Sequence, residues 1–133
     1  MNFHLNEHSF FYFSKGASRW VLCIGGYAIK IPSFYAYTNF LGGLECNYLE
    51  LKNYRCYGKK GYYPIEKLCP IIFHLPLGII IVMKRAKPLS DIEFSNFNYE
   101  NFIKTDNSNI PAEKKPDSFG IINGKILAID YAK

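Results

Sequence analysis

The sequence predicts an α+β fold in which an antiparallel sheet carries one packed helix. Three features predict it: β-rich runs separated by turn residues, one long stretch with helical spacing, and an Asn-Gly hairpin signal near the carboxyl end. Of the 133 residues, 49% are hydrophobic and 17% are aromatic, which suffices for a buried core and excludes a disordered tail. At this length we expect a single domain, residues 1–133.

The first half of the chain predicts a meander of three strands. The β-rich runs are residues 9–13, 19–24 and 27–31. Gly25-Gly26 is a two-residue hairpin signal, and Pro32 ends the third strand because proline cannot donate to a ladder.

A helix is predicted next, over residues 39–57. Gly42-Gly43 weakens its first turn, so we expect the secure part to begin near Leu44, and Gly58 ends the helix. Apolar side chains recur at helical spacing at Leu44, Tyr48 and Leu51.

The remaining elements follow from the same signals. Two further strands are predicted, which completes a β-β-β-α-β-β order, and a polar region then holds one short helix before a terminal hairpin turned by Asn123-Gly124. Their bounds are residues 68–73 and 77–83 for the strands, 91–102 for the short helix and 119–130 for the hairpin.

Charge and cysteine content restrict the class of protein. The net charge of +5 is compatible with a lysine-rich surface or with an anionic partner such as a phosphate. Basic doublets are scattered without interleaved aromatic residues, so we expect no nucleic-acid partner. The four cysteines form no C-x-x-C pair, which favours free thiols. Residues 68–83 are too short to span a bilayer and residues 1–4 do not resemble a signal peptide, so we expect a cytoplasmic location and no membrane association.

Charged residues occur in a distinctive order along these elements. Lys30 ends the run Tyr-Ala-Ile-Lys on the third predicted strand, and Glu50 follows it by 20 residues on the helix. Glu45, 15 residues after Lys30, is an alternative partner. Residues 79–86 form an apolar strand that ends in Met-Lys-Arg-Ala. Taken singly, each charge suits a solvated surface, and only their order points to a site.

The carboxyl-terminal block extends this order. Residues 113–118 read Glu-Lys-Lys-Pro-Asp-Ser, and the hairpin after them ends at Asp130, followed by Tyr-Ala. The block resembles the D-L-K-P-E-N catalytic loop followed by D-F-G, and the strand of Lys30 resembles V-A-I-K. Residues 9–132 thus resemble a minimal, degenerate member of the protein-kinase-like superfamily.

The resemblance implies a division of the chain and a site between its parts. Residues 1–86 are similar to the kinase N-lobe, and residues 87–133 to a vestigial second lobe that ends in a β-hairpin. The sequence stops three residues after Asp130, so we expect the activation segment and the helical substrate platform to be absent.

The resemblance also implies that the protein binds Mg-ATP. Lys30 would contact the α- and β-phosphates and Glu50 would hold Lys30. Met83 would stand at the gatekeeper position, and the backbone of Lys84 and Arg85 would hydrogen-bond adenine. The remaining residue implied to bind the cofactor is Lys115.

For catalysis, the implied residues are Glu113, Lys30 and Asp130. Glu113 would position a substrate hydroxyl as acid or base, with Asp106 as an alternative in the preceding loop. Asp130 would bridge Mg²⁺ to the phosphates. Ser118 and Asp117 would complete the metal ligands.

Several residues depart from the family pattern. Pro111 and Ala112 stand where His-Arg is expected, and Glu113 is one methylene longer than the expected Asp, so we expect a large loss of rate. Ser118 replaces the metal-binding Asn. Residues 14–18 hold one glycine where the family has three, so Lys15 or Arg19 would take over phosphate contacts there.

Two functions follow from the resemblance. One is a minimal kinase that transfers phosphate to a Ser or Thr of a partner protein. The composition, rich in Asn, Lys, Ile and Tyr, suits a product of a phage or other mobile element, so the partner would be a host protein. The other is a catalytically inactive, kinase-like interaction protein that blocks or stabilises its partner. Aromatic runs over residues 34–40 and 94–102 are predicted to pack inside the fold, and would dock a partner if they are exposed.

Overall fold

The structure is a computed structural model that describes residues 10–16, 18–34, 36–58, 64–105 and 109–132. The α+β class and the antiparallel sheet with a packed helix are confirmed. The main sheet has five strands in the order β1-β2-β3-β5-β4. Their bounds are Phe11–Lys15 (β1), Arg19–Ile24 (β2), Tyr27–Pro32 (β3), Ile71–His74 (β4) and Ile81–Lys84 (β5).

The predicted meander is present, and its second hairpin turns at the predicted glycines. Ile24 of β2 pairs with Tyr27 of β3, and Gly25 has a φ of +55°, which glycine adopts without strain. Strand β1 begins and ends two residues later than the predicted strand, of which Ser9 lies outside the described residues.

Helix α1 spans Tyr37–Lys52 and continues into a π-helical turn, Asn53–Gly58. It begins two residues before the predicted start, although Gly42-Gly43 lies in its second turn. A Cβ on Gly43 would lie 2.6 Å from Cα of Pro32, so glycine is required where the helix crosses the end of β3. The buried face of α1 is polar and consists of Gly43, Asn47 and Glu50.

Strand β4 begins three residues later than predicted, and β5 begins four residues later because a 3₁₀ turn, Pro76–Gly78, takes up the first residues of the predicted strand. Leu77 and Gly78 both have positive φ in this turn. The turn packs under α1: a Cβ on Gly78 would lie 2.8 Å from the carbonyl oxygen of Leu44.

The predicted terminal hairpin is confirmed, and it belongs to a second, three-stranded sheet that sequence analysis did not predict. This sheet has the order β6-β7-β8, with bounds Lys87–Pro88, Phe119–Ile122 and Lys125–Ala128. Asn123 and Gly124 occupy the turn with φ of +50° and +77°, as a two-residue hairpin of this type requires.

The single short helix predicted over residues 91–102 is divided into two, α2 at Asp91–Ser95 and α3 at Tyr99–Ile103. Two N-caps explain the break. Ser90 and Glu93 form a capping box for α2, and the Asn98 side chain accepts from the backbone of Asn101 to begin α3.

The aromatic run over residues 94–102 packs inside the fold, as predicted. Its rings surround the fully buried Phe119 of β7 with centroid distances of 5.0–6.3 Å: Phe94, Phe97, Tyr99 and Phe102. The run over residues 34–40 differs from the prediction. Phe34, which precedes α1 and contacts Trp20 and Phe40, is 62% exposed. Tyr37, the first residue of α1 and outside its buried polar face, is 77% exposed, and Tyr35 lies outside the described residues.

The two sheets are joined through residues 68–69 and 128–131. The Cys69 N–H donates to the carbonyl of Ala128, and the buried Tyr131 hydroxyl donates to the carbonyl of Cys69 at 2.8 Å. These bonds bring Asp130 to the sheet that carries Lys30. None of the helices in the described part of the chain is long and apolar enough to cross a membrane.

Candidate functional site

An open cleft of about 610 Å³ lies between the five-stranded sheet and the segment 113–132. It contains five cationic side chains and three carboxylates among its lining residues. Eight of the ten sequence-predicted site residues line it: Lys30, Met83, Lys84, Arg85, Glu113, Lys115, Asp117 and Asp130. Glu50 and Ser118 do not, because both side chains are fully buried behind the cleft wall.

Lys30 lies at the floor of this cleft. Strand β3 is central in the sheet, where Lys30 pairs with Val21 of β2 and Ile81 of β5, so only 5% of the residue is exposed. Its ammonium donates to Glu50 Oε1 at 2.5 Å and to the carbonyl oxygen of Ile129 at 2.6 Å. Lys30 is therefore fixed on the central strand by two contacts, one to the helix through Glu50 and one to the terminal segment through Ile129.

Glu50 is the predicted partner of Lys30, and the alternative, Glu45, is exposed on the opposite side of α1. Besides Lys30, the Glu50 carboxylate accepts from the Arg19 guanidinium at 3.2 and 3.4 Å and from the Tyr131 N–H at 3.0 Å. A carboxylate with no exposed surface needs this many donors, because an unpaired buried charge is strongly disfavoured.

Two asparagines extend the polar face of α1 and fix its position. Asn47 Nδ2 donates to the carbonyl oxygens of Lys30 and Gly78, at 3.2 and 2.8 Å. Asn53 Nδ2 donates to the carbonyl oxygen of Tyr131 at 2.7 Å. Both amides are buried, so they hold Glu50 in register with β3 and with the terminal segment.

Arg19, the first residue of β2, connects the two carboxylates of the site. Its NH1 donates to Asn47 Oδ1 and Glu50 Oε1, both at 3.2 Å, and its NH2 donates to Asp130 Oδ1 at 3.0 Å. Burial opposes the charged form, but the charges of Glu50 and Asp130 outweigh it and raise the pKa of Arg19. Sequence analysis gave Arg19 a phosphate contact as one option and did not predict this bridge.

Asp130 is partly exposed at the cleft and lies near the cationic side chains of Lys30 and Arg19. Burial alone would raise the pKa of its carboxyl group, but the charges of Lys30, Arg19 and Lys115 outweigh burial and lower it. Asp130 is therefore a carboxylate at neutral pH, and it already has a cationic partner in Arg19.

The loop residues lie at the cleft mouth. Glu113 is exposed, and its Oε2 lies 3.5 Å from Nζ of Lys115. Burial alone would lower the pKa of Lys115, but the negative charges of Asp117, Glu113 and Asp130 outweigh burial and raise it. Asp117 is also exposed. Asp106, the alternative base, lies outside the described residues.

Ser118 supports the loop and does not line the cleft. Its carbonyl oxygen accepts from the N–H groups of Ile129 and Asp130, which ties the loop to the end of the hairpin. Its hydroxyl is fully buried and has no hydrogen-bond partner within the described part of the chain. Its Oγ is therefore turned away from any ligand in the cleft.

The segment predicted to bind adenine uses its amides internally. Met83 is a core residue that also touches the cleft. The Lys84 N–H donates to the carbonyl of Pro70 at 3.1 Å, and the Arg85 N–H donates to the carbonyl of Gly26 at 2.8 Å. Neither amide is available to adenine in this arrangement, so a base in the cleft would have to use other groups.

The oxygen donors that the resemblance implies for Mg²⁺ do not fit a magnesium site here. Asp130 is ion-paired with Arg19, and the hydroxyl of Ser118 is buried outside the cleft. Within the described ranges, no three metal-ligating side chains of the His, Cys, Asp and Glu type converge. Of the three predicted metal ligands, Asp117 is the one that has an exposed carboxylate at the cleft.

Comparison with known proteins gives no relative. No protein-family model, curated protein or solved structure matches this chain. Sequence reasoning missed Arg19 as a bridge and Asn47 and Asn53 as supports. Arg19 had no local signal, whereas Asn47, Glu50 and Asn53 recur at three-residue spacing on one face of the helix.

Proposed function

We propose that this chain is a kinase-like nucleotide-binding protein, in which Lys30 binds the phosphates of ATP in the cleft. The observation that carries the proposal is the buried ion pair between Lys30 and Glu50 at the cleft floor. In kinases, a strand lysine paired with a helix glutamate positions the phosphates in the same way.

A role in ligand binding explains the Lys30–Glu50 ion pair better than a contribution to the stability of the fold does. A buried pair is often no more stabilising than apolar residues of the same size, so its presence needs another reason. The Lys30 ammonium is held at the cleft floor by Glu50 and Ile129, so a phosphate that enters the cleft meets a cation that needs no further ordering. Five cationic side chains against three carboxylates along the cleft favour an anionic ligand.

Phosphate transfer to a Ser or Thr hydroxyl of a partner protein is the further step of this proposal. Glu113 would accept the hydroxyl proton, since its exposed carboxylate lies at the cleft mouth where a partner can approach. In the alternative function, the protein is catalytically inactive, with or without bound nucleotide, and acts by blocking or stabilising its partner. Transfer of label from γ-labelled ATP to a candidate partner, lost in Glu113→Gln, distinguishes the two.

Nucleotide binding itself is tested by calorimetric titration of ATP. The variant Lys30→Met/Glu50→Gln removes both charges of the pair and nearly conserves volume, so it avoids leaving Glu50 buried without Lys30. Lys125→Met, an exposed residue of the terminal hairpin, is the matched control. We expect binding to wild type and to Lys125→Met, and at least about a tenfold loss in the double variant, because a charge-assisted hydrogen bond to phosphate is removed. Equal affinity in all three proteins would refute the role of Lys30.

A further inference from the structure

The guanidinium of Arg19 donates to Asp130 Oδ1, an oxygen of the carboxylate that the kinase-like resemblance assigns to a divalent cation. We propose that Arg19 takes over the charge-neutralising role of Mg²⁺, so that the cleft binds nucleotide phosphates without a metal ion. This inference rests on the proposed nucleotide binding and specifies the form of the ligand: the free triphosphate anion rather than its magnesium complex.

The first support is the geometry around Asp130. Its Oδ1 accepts from Arg19 NH2 at 3.0 Å, and the same guanidinium reaches Glu50 and Asn47 through NH1. A divalent cation on this oxygen would lie beside a fixed positive charge, and the two would repel each other. Mg²⁺ also requires a nearly octahedral shell of oxygen ligands, which a carboxylate already bonded to a guanidinium supplies poorly.

The second support is that Arg19 is held in place. Only 9% of the residue is exposed, yet it lines the cleft. It cannot leave without removing two donors from the fully buried Glu50 and one from Asn47. Leaving a buried carboxylate short of donors is costly, so Arg19 remains a resident cation of the site.

The third support is the composition of the cleft as a whole. Cationic side chains outnumber carboxylates five to three along its lining. Arg19 and Lys30 are the two buried cations of the cleft, and Lys115, Lys84 and Arg85 complete the positive set. Free ATP, which carries more negative charge than Mg-ATP, is the better complement to such a surface.

The test is titration of ATP into the full chain, once with excess EDTA and once with excess Mg²⁺. We expect wild type to bind at least as tightly in EDTA as in Mg²⁺. Arg19→Gln exposes the Asp130 carboxylate to the phosphates, so its affinity in EDTA should fall at least about tenfold. Part of that loss should be recovered in Mg²⁺, because the carboxylate is then free to hold the metal. Arg55→Gln, an exposed residue of the π-helical turn, is the matched control and should behave as wild type.

The outcomes separate this inference from the function on which it rests. Wild-type binding that requires Mg²⁺ would leave the nucleotide site in place and overturn the role of Arg19. No binding in either buffer would overturn both. If Arg19→Gln does not fold, Mn²⁺ titration of wild type followed by its electron paramagnetic resonance signal decides. We expect no protein-bound Mn²⁺ with or without ATP, and a bound Mn²⁺ in the presence of ATP would contradict the inference.

Discussion

Glu50→Gln is the substitution for which the structure predicts the largest effect on stability. The carboxylate has no exposed surface and accepts four hydrogen bonds, from Lys30, from both terminal nitrogens of Arg19 and from the Tyr131 N–H. The amide keeps one acceptor oxygen and nearly the same volume, so no cavity forms. What is lost is the negative charge between two buried cations.

The magnitude follows from that loss. Removing one partner of a buried ion pair typically costs about 3–5 kcal/mol, because the remaining charge stays buried without compensation. Arg19 retains the negative charge of Asp130, whereas the two oxygens left to Lys30, the carbonyl of Ile129 and the new amide oxygen, are both neutral. We therefore expect the free energy of unfolding of Glu50→Gln to fall by about 3–5 kcal/mol, a large part of the roughly 5–15 kcal/mol typical of a small domain.

Urea unfolding followed by circular dichroism measures this difference. Glu45→Gln, on the exposed face of the same helix, is the matched control and should change stability by less than about 0.5 kcal/mol. Lys30→Met in the Glu50→Gln background should restore part of the loss, since it removes the uncompensated ammonium. A cost for Glu50→Gln below about 1 kcal/mol would refute the reasoning, because the site would then tolerate two buried cations without their shared anion.

Two further predictions concern pH and packing. The lowered pKa of Asp130 means that its ion pair contributes stability fully above the unfolded value of 3.8 and loses it as pH falls through the folded value. The difference in unfolding free energy between wild type and Asp130→Asn should therefore shrink as pH is lowered below about 4 in urea titrations, and a difference that does not change with pH would contradict the pairing. Gly43→Ala should destabilise by about 1–3 kcal/mol, because the new methyl group meets the backbone of β3. Gly42→Ala, whose Cβ would have an ordinary 3.5 Å contact, should instead stabilise by about 0.5–1 kcal/mol in thermal melts, and equal effects at both glycines would refute this packing.

Local signals in the sequence were enough for the elements whose geometry is set locally. Gly25-Gly26 and Asn123-Gly124 predicted both hairpin turns, because positive φ in a two-residue turn nearly requires such residues. The ion pair between Lys30 and Glu50 follows instead from the kinase-like resemblance, which ranks Glu50 ahead of Glu45 as the partner of Lys30. Helical periodicity predicted α1 but not its buried face, since the face that meets the sheet carries Asn47 and Glu50 instead of apolar side chains.

Contacts between distant parts of the chain could not be predicted in this way. Arg19 and Asp130 are 111 residues apart, and nothing near either residue signals the other. The same holds for Gly43, which weakens the helix by its intrinsic propensity but is required by its contact with Pro32. The resemblance assigns the backbone of Lys84 and Arg85 to adenine, whereas the carbonyl groups that accept from their amides, those of Pro70 and Gly26, become neighbours only in the folded sheet.

The most direct test of the account is the thermal stability of the wild-type protein with ATP, with adenosine and with neither. A ligand that binds only the native state at a hundred times its dissociation constant adds about 2.7 kcal/mol of stability. Because the proposed contacts are to phosphate, we expect ATP to raise the melting temperature, adenosine to raise it far less, and Lys30→Met/Glu50→Gln to abolish the ATP effect. No shift with millimolar ATP, or an equal shift with adenosine, would contradict the claim that Lys30 forms a phosphate site.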